Sequence, residues 1–149
     1  YFESKEQLLT AIFEDSMSRF LGGTRSELDA LGSAEEKLQR LFELHLDALS
    51  EDEELATVFQ IELRHSQRFM KETSRAQLRE YFEIMREALS ADGVAAAWLP
   101  VGGLSFNDLR TLIATFDSVF PHTTAWYFTQ FPTHFIILVG TPEPTMASA

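Results

Sequence analysis

The chain has 149 residues, 45% of them hydrophobic, and a formal net charge of −11. That length allows one domain or two small ones, and a surface this acidic repels phosphate backbones, so these residues by themselves are not expected to bind DNA or RNA. Zero Cys excludes disulfides, thiol nucleophiles and Cys-based zinc sites and fits a cytoplasmic protein; no segment is apolar enough for long enough to cross a membrane, and no signal peptide is legible.

The opening "YFESKEQLL" carries a helix-start signal. Ser4 followed three residues later by Gln7 forms a capping box, and Phe2 with Leu8 is spaced as a hydrophobic staple. Leu8, Leu9, Ile12, Phe13, Met17 and Phe20 then recur at three- and four-residue intervals. This predicts an amphipathic helix from about Lys5, stopped by Gly22-Gly23. Ser33 with Glu36 predicts a second helix, with Leu38, Leu41, Phe42, His45, Ala48 and Leu49 on one face. Ser50 with Glu53 predicts a third, carrying Leu55, Val58, Phe59 and Leu63. A fourth is expected from about Thr73 to Leu89, with Leu78, Tyr81, Phe82, Met85, Ala88 and Leu89 inward. Four amphipathic helices with short links imply an antiparallel bundle.

The composition changes near residue 92. Residues 1–92 hold 11 of the 12 Lys+Arg and 20 of the 23 Asp+Glu, leaving only Asp108, Arg110, Asp117 and Glu143 beyond. The seam at "LSADGVAAAW" is read as a boundary between segments 1–92 and 93–149. After it, "VAAAWL" reads as a short strand ended by Pro100. Ser105 caps a helix with Leu109, Leu112, Ile113, Phe116, Val119 and Phe120 inside, closed by Pro121. "TTAWYF" and "HFIILVG", separated by five residues that include Pro132, read as a hairpin. The fold class expected is mainly α, a helical bundle followed by a small β-α-β-β α/β fragment. The helix should cover one side of the hairpin and the bundle the other. The tail from 141 to 149 has no periodicity and is expected to be disordered.

Two stretches carry family resemblances. "YFESKEQLLTAIFEDSM" resembles the junction in TetR-family repressors where the DNA-recognition helix ends and the helix leading into the ligand-binding core begins. "ATVFQIELRHSQ" extends the likeness to about residue 90 and resembles the acyl-CoA-responsive fatty-acid-degradation repressors. This implies a truncated TetR-like core at 1–92, without its DNA-binding helices and not DNA-binding alone. Its ligand site is implied at Phe59, Gln60, Leu63, Arg64, Tyr81, Phe82 and Met85, where an apolar cavity with one cation suits an acyl-CoA-like effector. The plainer reading makes the same apolar residues ordinary core and Arg64 a solvated side chain. "WLPVGGLSFNDLRTLIATFDSVFPHTTAWYF" followed by "THFIILVGTPE" resembles the C-terminal end of spermidine synthases, with Ala97 where that family often has Gln. The chain then reads as a chimera of two fragments. The alternative function is a fragment of an aminopropyltransferase lacking its cofactor-binding half, with a polyamine or nucleoside site that includes Trp98 and Trp126.

Catalytic and metal chemistry find little footing. Glu62 and His65 form one Glu-x-x-His half-motif, whereas a di-iron bundle needs two, and Glu43 with His45 has the wrong spacing. Ser, His and Asp occur without a Gly-x-Ser-x-Gly elbow, and His122 and His134 read as strand-end residues. The acidic run "SEDEEL" reads as a helix N-terminus rather than a cation patch. No catalytic residue, metal or cofactor is expected. The expected partners are a small-molecule effector and a second copy of the chain, met through the hydrophobic C-terminal segment.

Overall fold

A computed structural model describes residues 2–51, 74–102, 104–127 and 135–144. In chain order these form α1 (Lys5–Asp29), α2 (Ala34–Glu51), α3 (Ser74–Ala88), β1 (Ala95–Pro100), α4 (Phe106–Val119), β2 (His122–Trp126) and β3 (Phe135–Thr141). The described part is mainly helical, with one three-stranded antiparallel sheet in the order β1-β3-β2.

Three of the four expected caps form, each with its own geometry. Ser4 Oγ accepts from Gln7 N at 3.1 Å, while the Gln7 side chain reaches back to Glu3 N at 2.9 Å. Phe2 and Leu8 are both exposed, so these bonds rather than the expected staple set how the chain enters α1. Ser33 and Glu36 exchange both bonds of a capping box, and so do Ser105 and Asp108. The side-chain and backbone hydrogen bonds from Ser33 hold the Glu36 carboxyl below its ordinary value.

Helix α1 does not stop at Gly22-Gly23; it runs on to Asp29. Two interior glycines cost a helix roughly 2 kcal/mol relative to alanine. Leu21 and Leu28 flank them, both buried in one core cluster with Leu41, Ile84 and Ala88. Burying a side chain of this size contributes about 1.5–3 kcal/mol, so the packing outweighs the propensity. Ser50 begins no new helix: it lies in the last turn of α2 and donates its hydroxyl to Asp47 O. The helix expected after it falls outside the described residues. On α2, Leu41 is buried, but Phe42 is 69% exposed and Leu46 and Leu49 are also exposed. Its inward face is narrower than its apolar content suggests.

A second cluster joins Phe82 of α3 to Phe116, Val119 and Phe120 of α4 and to Ala95 and Leu138 of the sheet. The Phe82 and Phe116 rings meet edge to face at 5.1 Å. The segments before and after residue 92 therefore pack on each other. Both α3 and α4 contribute to the core on one face of the sheet; the opposite face, expected beneath the bundle, leaves Trp98 and Trp126 each 59% exposed. At Gly140 a Cβ would stand 2.6 Å from Phe120 Cβ and 2.7 Å from Phe116 Cε1. Only glycine lets β3 approach α4 this closely. Thr141 is the last residue of β3 and is buried, so ordered structure continues into the tail expected from 141.

Candidate functional site

Among the described residues, a groove of ligand size, open to solvent, lies between α1 and α2. It has a volume of about 640 Å³ and is lined by residues of both helices, from Ser16 to Glu27 and from Arg40 to Ala48. The spacing of α1 places Phe20, Gly23, Thr24 and Glu27 on that side, and α2 supplies Arg40, Leu44, Asp47 and Ala48. Cavities of about 300–1,000 Å³ that combine apolar walls with a few polar groups hold small molecules.

Ion pairs fix the walls. Arg40 Nε meets Glu27 at 2.6 Å, tying α2 to α1, and Arg40 Nη1 meets Glu43 of its own helix at 3.0 Å. The hydrogen bond to Glu27, then that to Glu43, hold the guanidinium above its ordinary value. Gln39 first, then Arg40, keep the Glu43 carboxyl low. Arg19 pairs with Asp15 at 2.8 Å. The lining thus sets Arg19 and Arg40 against Glu27 and Asp47, a near balance of charge beside the apolar Phe20, Leu44 and Ala48.

One group in this cavity is unsatisfied. Thr24 is only 2% exposed, and its Oγ1 has no hydrogen-bond partner among the described residues. A buried hydroxyl left so costs about 1–3 kcal/mol; its oxygen is buried and does not open into the groove.

Behind the cavity runs a series of ring contacts. Phe20 meets His45 at 5.2 Å, His45 meets Tyr81 at 5.3 Å, and Tyr81 meets Phe82 at 6.0 Å. Tyr81 Oη lies 3.4 Å from His45 Nε2. Burial pushes the His45 imidazole below its ordinary value and the Tyr81 phenol up to about 12. Both shifts favour the neutral form.

Of the ligand residues expected from the sequence, Tyr81, Phe82 and Met85 come together on α3. Tyr81 and Met85 pack against both core clusters, and Phe82 is buried in the second. None of the three lines the α1–α2 cavity. Phe59, Gln60, Leu63 and Arg64 lie outside the described residues, as do Glu62, His65 and His134. The cavity-lining residues Thr24, Arg40 and Leu44 escaped the sequence reading. The available signal was Thr24 standing between Leu21 and Leu28, a polar residue at an inward position of α1.

The sequence model of the family described as "YsiA-like protein, C-terminal region", of TetR type, matches residues 13–136. The "Fatty acid metabolism regulator protein" of Bacillus subtilis (strain 168) is 27% identical over 126 residues, covering 85% of this chain. The chain spans 63% of that relative's length. No solved structure matches. The family match runs on past residue 92 to the start of β3, and 126 aligned residues exceed what either segment alone can supply. Neither match lends support to the resemblance of residues 93–149 to spermidine synthases. With α1 from Phe13 onward, α2, α3, α4 and β2 all inside the matched range, the chain belongs to the TetR-type family of YsiA-like C-terminal regions.

Proposed function

We propose that the chain is the effector-binding region of a TetR-type transcription regulator, and that the effector occupies the cavity between α1 and α2. The observation that carries this reading is a groove of ligand-sized volume lined by apolar and charged side chains of two helices. The effector class is an acyl-CoA or a similarly amphipathic molecule. Its chain would lie on Phe20, Leu44 and Ala48, and the polar head would remain at the charged rim. The relative's role in fatty acid metabolism favours an acyl chain over other amphiphiles. Helix α1 is then the transmitting element, because a ligand that touches both Phe20 and Leu44 alters the angle between α1 and α2. The net charge of −11 argues that these residues sense without gripping DNA themselves.

The test is a thermal melt of the chain against lauroyl- and palmitoyl-CoA, with free CoA as control. A ligand at 100 times its dissociation constant adds about 2.7 kcal/mol, or roughly 5–10 °C for a chain of this size. Acyl-CoAs should raise the melting temperature and free CoA should not. Leu44→Trp, which places an indole across part of the groove, should reduce the shift. An unchanged melt with every acyl-CoA, or a shift that Leu44→Trp leaves unaltered, would remove the effector from this groove.

A further inference from the structure

Helix α1 carries its weakest point beside the groove. Gly22 and Gly23 follow one another inside a helix of 25 residues, and a Cβ on either would meet nothing within 4 Å. Sharp bends in long helices fall at such positions, because glycine holds the helical conformation least firmly. The pair divides α1 into a long arm, residues 5–21, and a short end, residues 24–29, and the two are held differently. The short end is fixed to both neighbouring helices: Arg25 Nη1 meets Glu87 of α3 at 2.8 Å, Glu27 meets Arg40 of α2 at 2.6 Å, and Leu28 is buried. The arm is tied more loosely. Gln77 of α3 donates to Glu14 O at 3.3 Å, Phe20 meets His45 edge to face, and Arg19 pairs with Asp15 inside the arm itself.

We propose that α1 hinges at Gly22–Gly23, the arm swinging about an end that α2 and α3 hold fixed. Leu21 and Thr24 are buried on either side of the pair, but they stand next to the pivot, where a rotation displaces them least. Lys5, at the far end of the arm, is about 25 Å away, so a swing of about 10° moves it by roughly 4 Å and Leu21 by under about 0.5 Å. The groove straddles the pivot: Ser16, Arg19 and Phe20 line it from the arm, and Gly23, Thr24 and Glu27 line it from the pair and the fixed end. An occupant in contact with both sides holds the hinge at one angle. That use of the hinge rests on the groove being the effector site; the hinge itself does not.

The helix hydrogen bonds that cross the pair run from the N–H groups of Thr24, Arg25, Ser26 and Glu27 to carbonyls four residues back. These are the bonds that open when the arm swings. Each interior glycine disfavours the helix by a factor of roughly 4–5 relative to alanine, so two together ease this opening roughly 20-fold.

The experiment follows amide hydrogen exchange by NMR on the full 149-residue chain without ligand. Amides of residues 24–27 should exchange at least about tenfold faster than those of residues 17–20, although Thr24 and Leu28 are buried. The double variant Gly22→Ala/Gly23→Ala should remove that difference, whereas Gly32→Ala, outside any helix, should leave it unchanged. Because the chain has no Cys, nitroxide pairs can be placed at will for distance measurement. Leu8→Cys with Arg86→Cys spans the arm and α3 and should give a broad distribution that narrows in the double Ala variant. Ser26→Cys with Arg86→Cys spans the fixed end and should be narrow in both. Equal exchange of the two groups of amides, a difference that survives in the double Ala variant, or an arm distribution as narrow as that of the fixed end would each overturn the hinge. Lauroyl-CoA should narrow the arm distribution; a melting shift without that narrowing would overturn the hinge's part in sensing. No melting shift at all would count against the effector site alone, because the hinge is decided without ligand.

Discussion

At the scale of single residues, two half-buried titratable groups in contact beside the helical core make its stability depend on pH at both ends. Burial disfavours the His45 cation, so its folded value lies below the ordinary 6.5. The unfolded chain takes up a proton near 6.5 while the folded chain takes it up only at lower pH. The stabilisation is therefore complete above that value and is lost as pH falls below it. Tyr81 acts in the opposite range. Its phenol ionises near 10 when unfolded and near 12 when folded, so stability should fall as pH rises between those values, by at most about 2–3 kcal/mol. Urea titrations at pH 7.5, 5.5 and 10.5 check both. His45→Phe should flatten the acid limb, and Tyr81→Phe the alkaline one. Gly140 gives a prediction of another kind. A Cβ there meets Phe120 at its own Cβ, an atom that moves only if the backbone moves. Gly140→Ala should cost about 1–3 kcal/mol by overpacking and lower the melting temperature by several degrees.

At the scale of elements, α1 is the helix to perturb. Gly22 and Gly23 have nothing within 4 Å of where a Cβ would stand, so no close approach requires them. Replacing both by Ala should stabilise the chain by about 1.5–2 kcal/mol through helix propensity and a less flexible unfolded chain. Differential scanning calorimetry would record a higher melting temperature; a fall would mean that the helix needs its glycines to bend. The same helix shows what a sequence reveals. Its start at Ser4–Gln7, like the caps at Ser33–Glu36 and Ser105–Asp108, was legible because a cap is made between residues three or four apart. Its end was not, because whether two glycines stop a helix depends on what Leu28 packs against, and Leu41, Ile84 and Ala88 come from other elements. The exposure of Phe42 and the burial of Ile84 went unseen for the same reason: spacing gives an apolar stripe, but neighbours decide how much of it is covered. The hairpin was legible from β-branched and aromatic runs, whereas β3 standing between β1 and β2 was not. The cavity lay furthest from reach, since the missing partner of Thr24 Oγ1 depends on everything around it.

At the scale of the whole molecule, the question is whether the charged helical segment and the nearly uncharged sheet segment are one folding unit. The change in composition at residue 92 suggests two. The packing argues for one, because Phe82 of α3 lies in the same buried cluster as Phe116, Phe120 and Leu138. Removing either side of that cluster leaves the other with an open apolar surface, and burying each such side chain contributes about 1.5–3 kcal/mol. Neither part can then unfold without destabilising its neighbour by a large fraction of a typical total stability of about 5–15 kcal/mol. The expected outcome is a single cooperative transition. The two halves report separately, since among the described residues most helix lies in α1, α2 and α3 while both Trp residues belong to the sheet. Melts followed by circular dichroism and by Trp emission, at a concentration below any self-association, should coincide. Phe82→Ala should shift both downward together, by the 3–5 kcal/mol typical of a deleted core Phe. If instead the Trp signal melts apart from the helical signal, the boundary near residue 92 is a real division, and the Phe82–Phe116 contact joins two units without making them one.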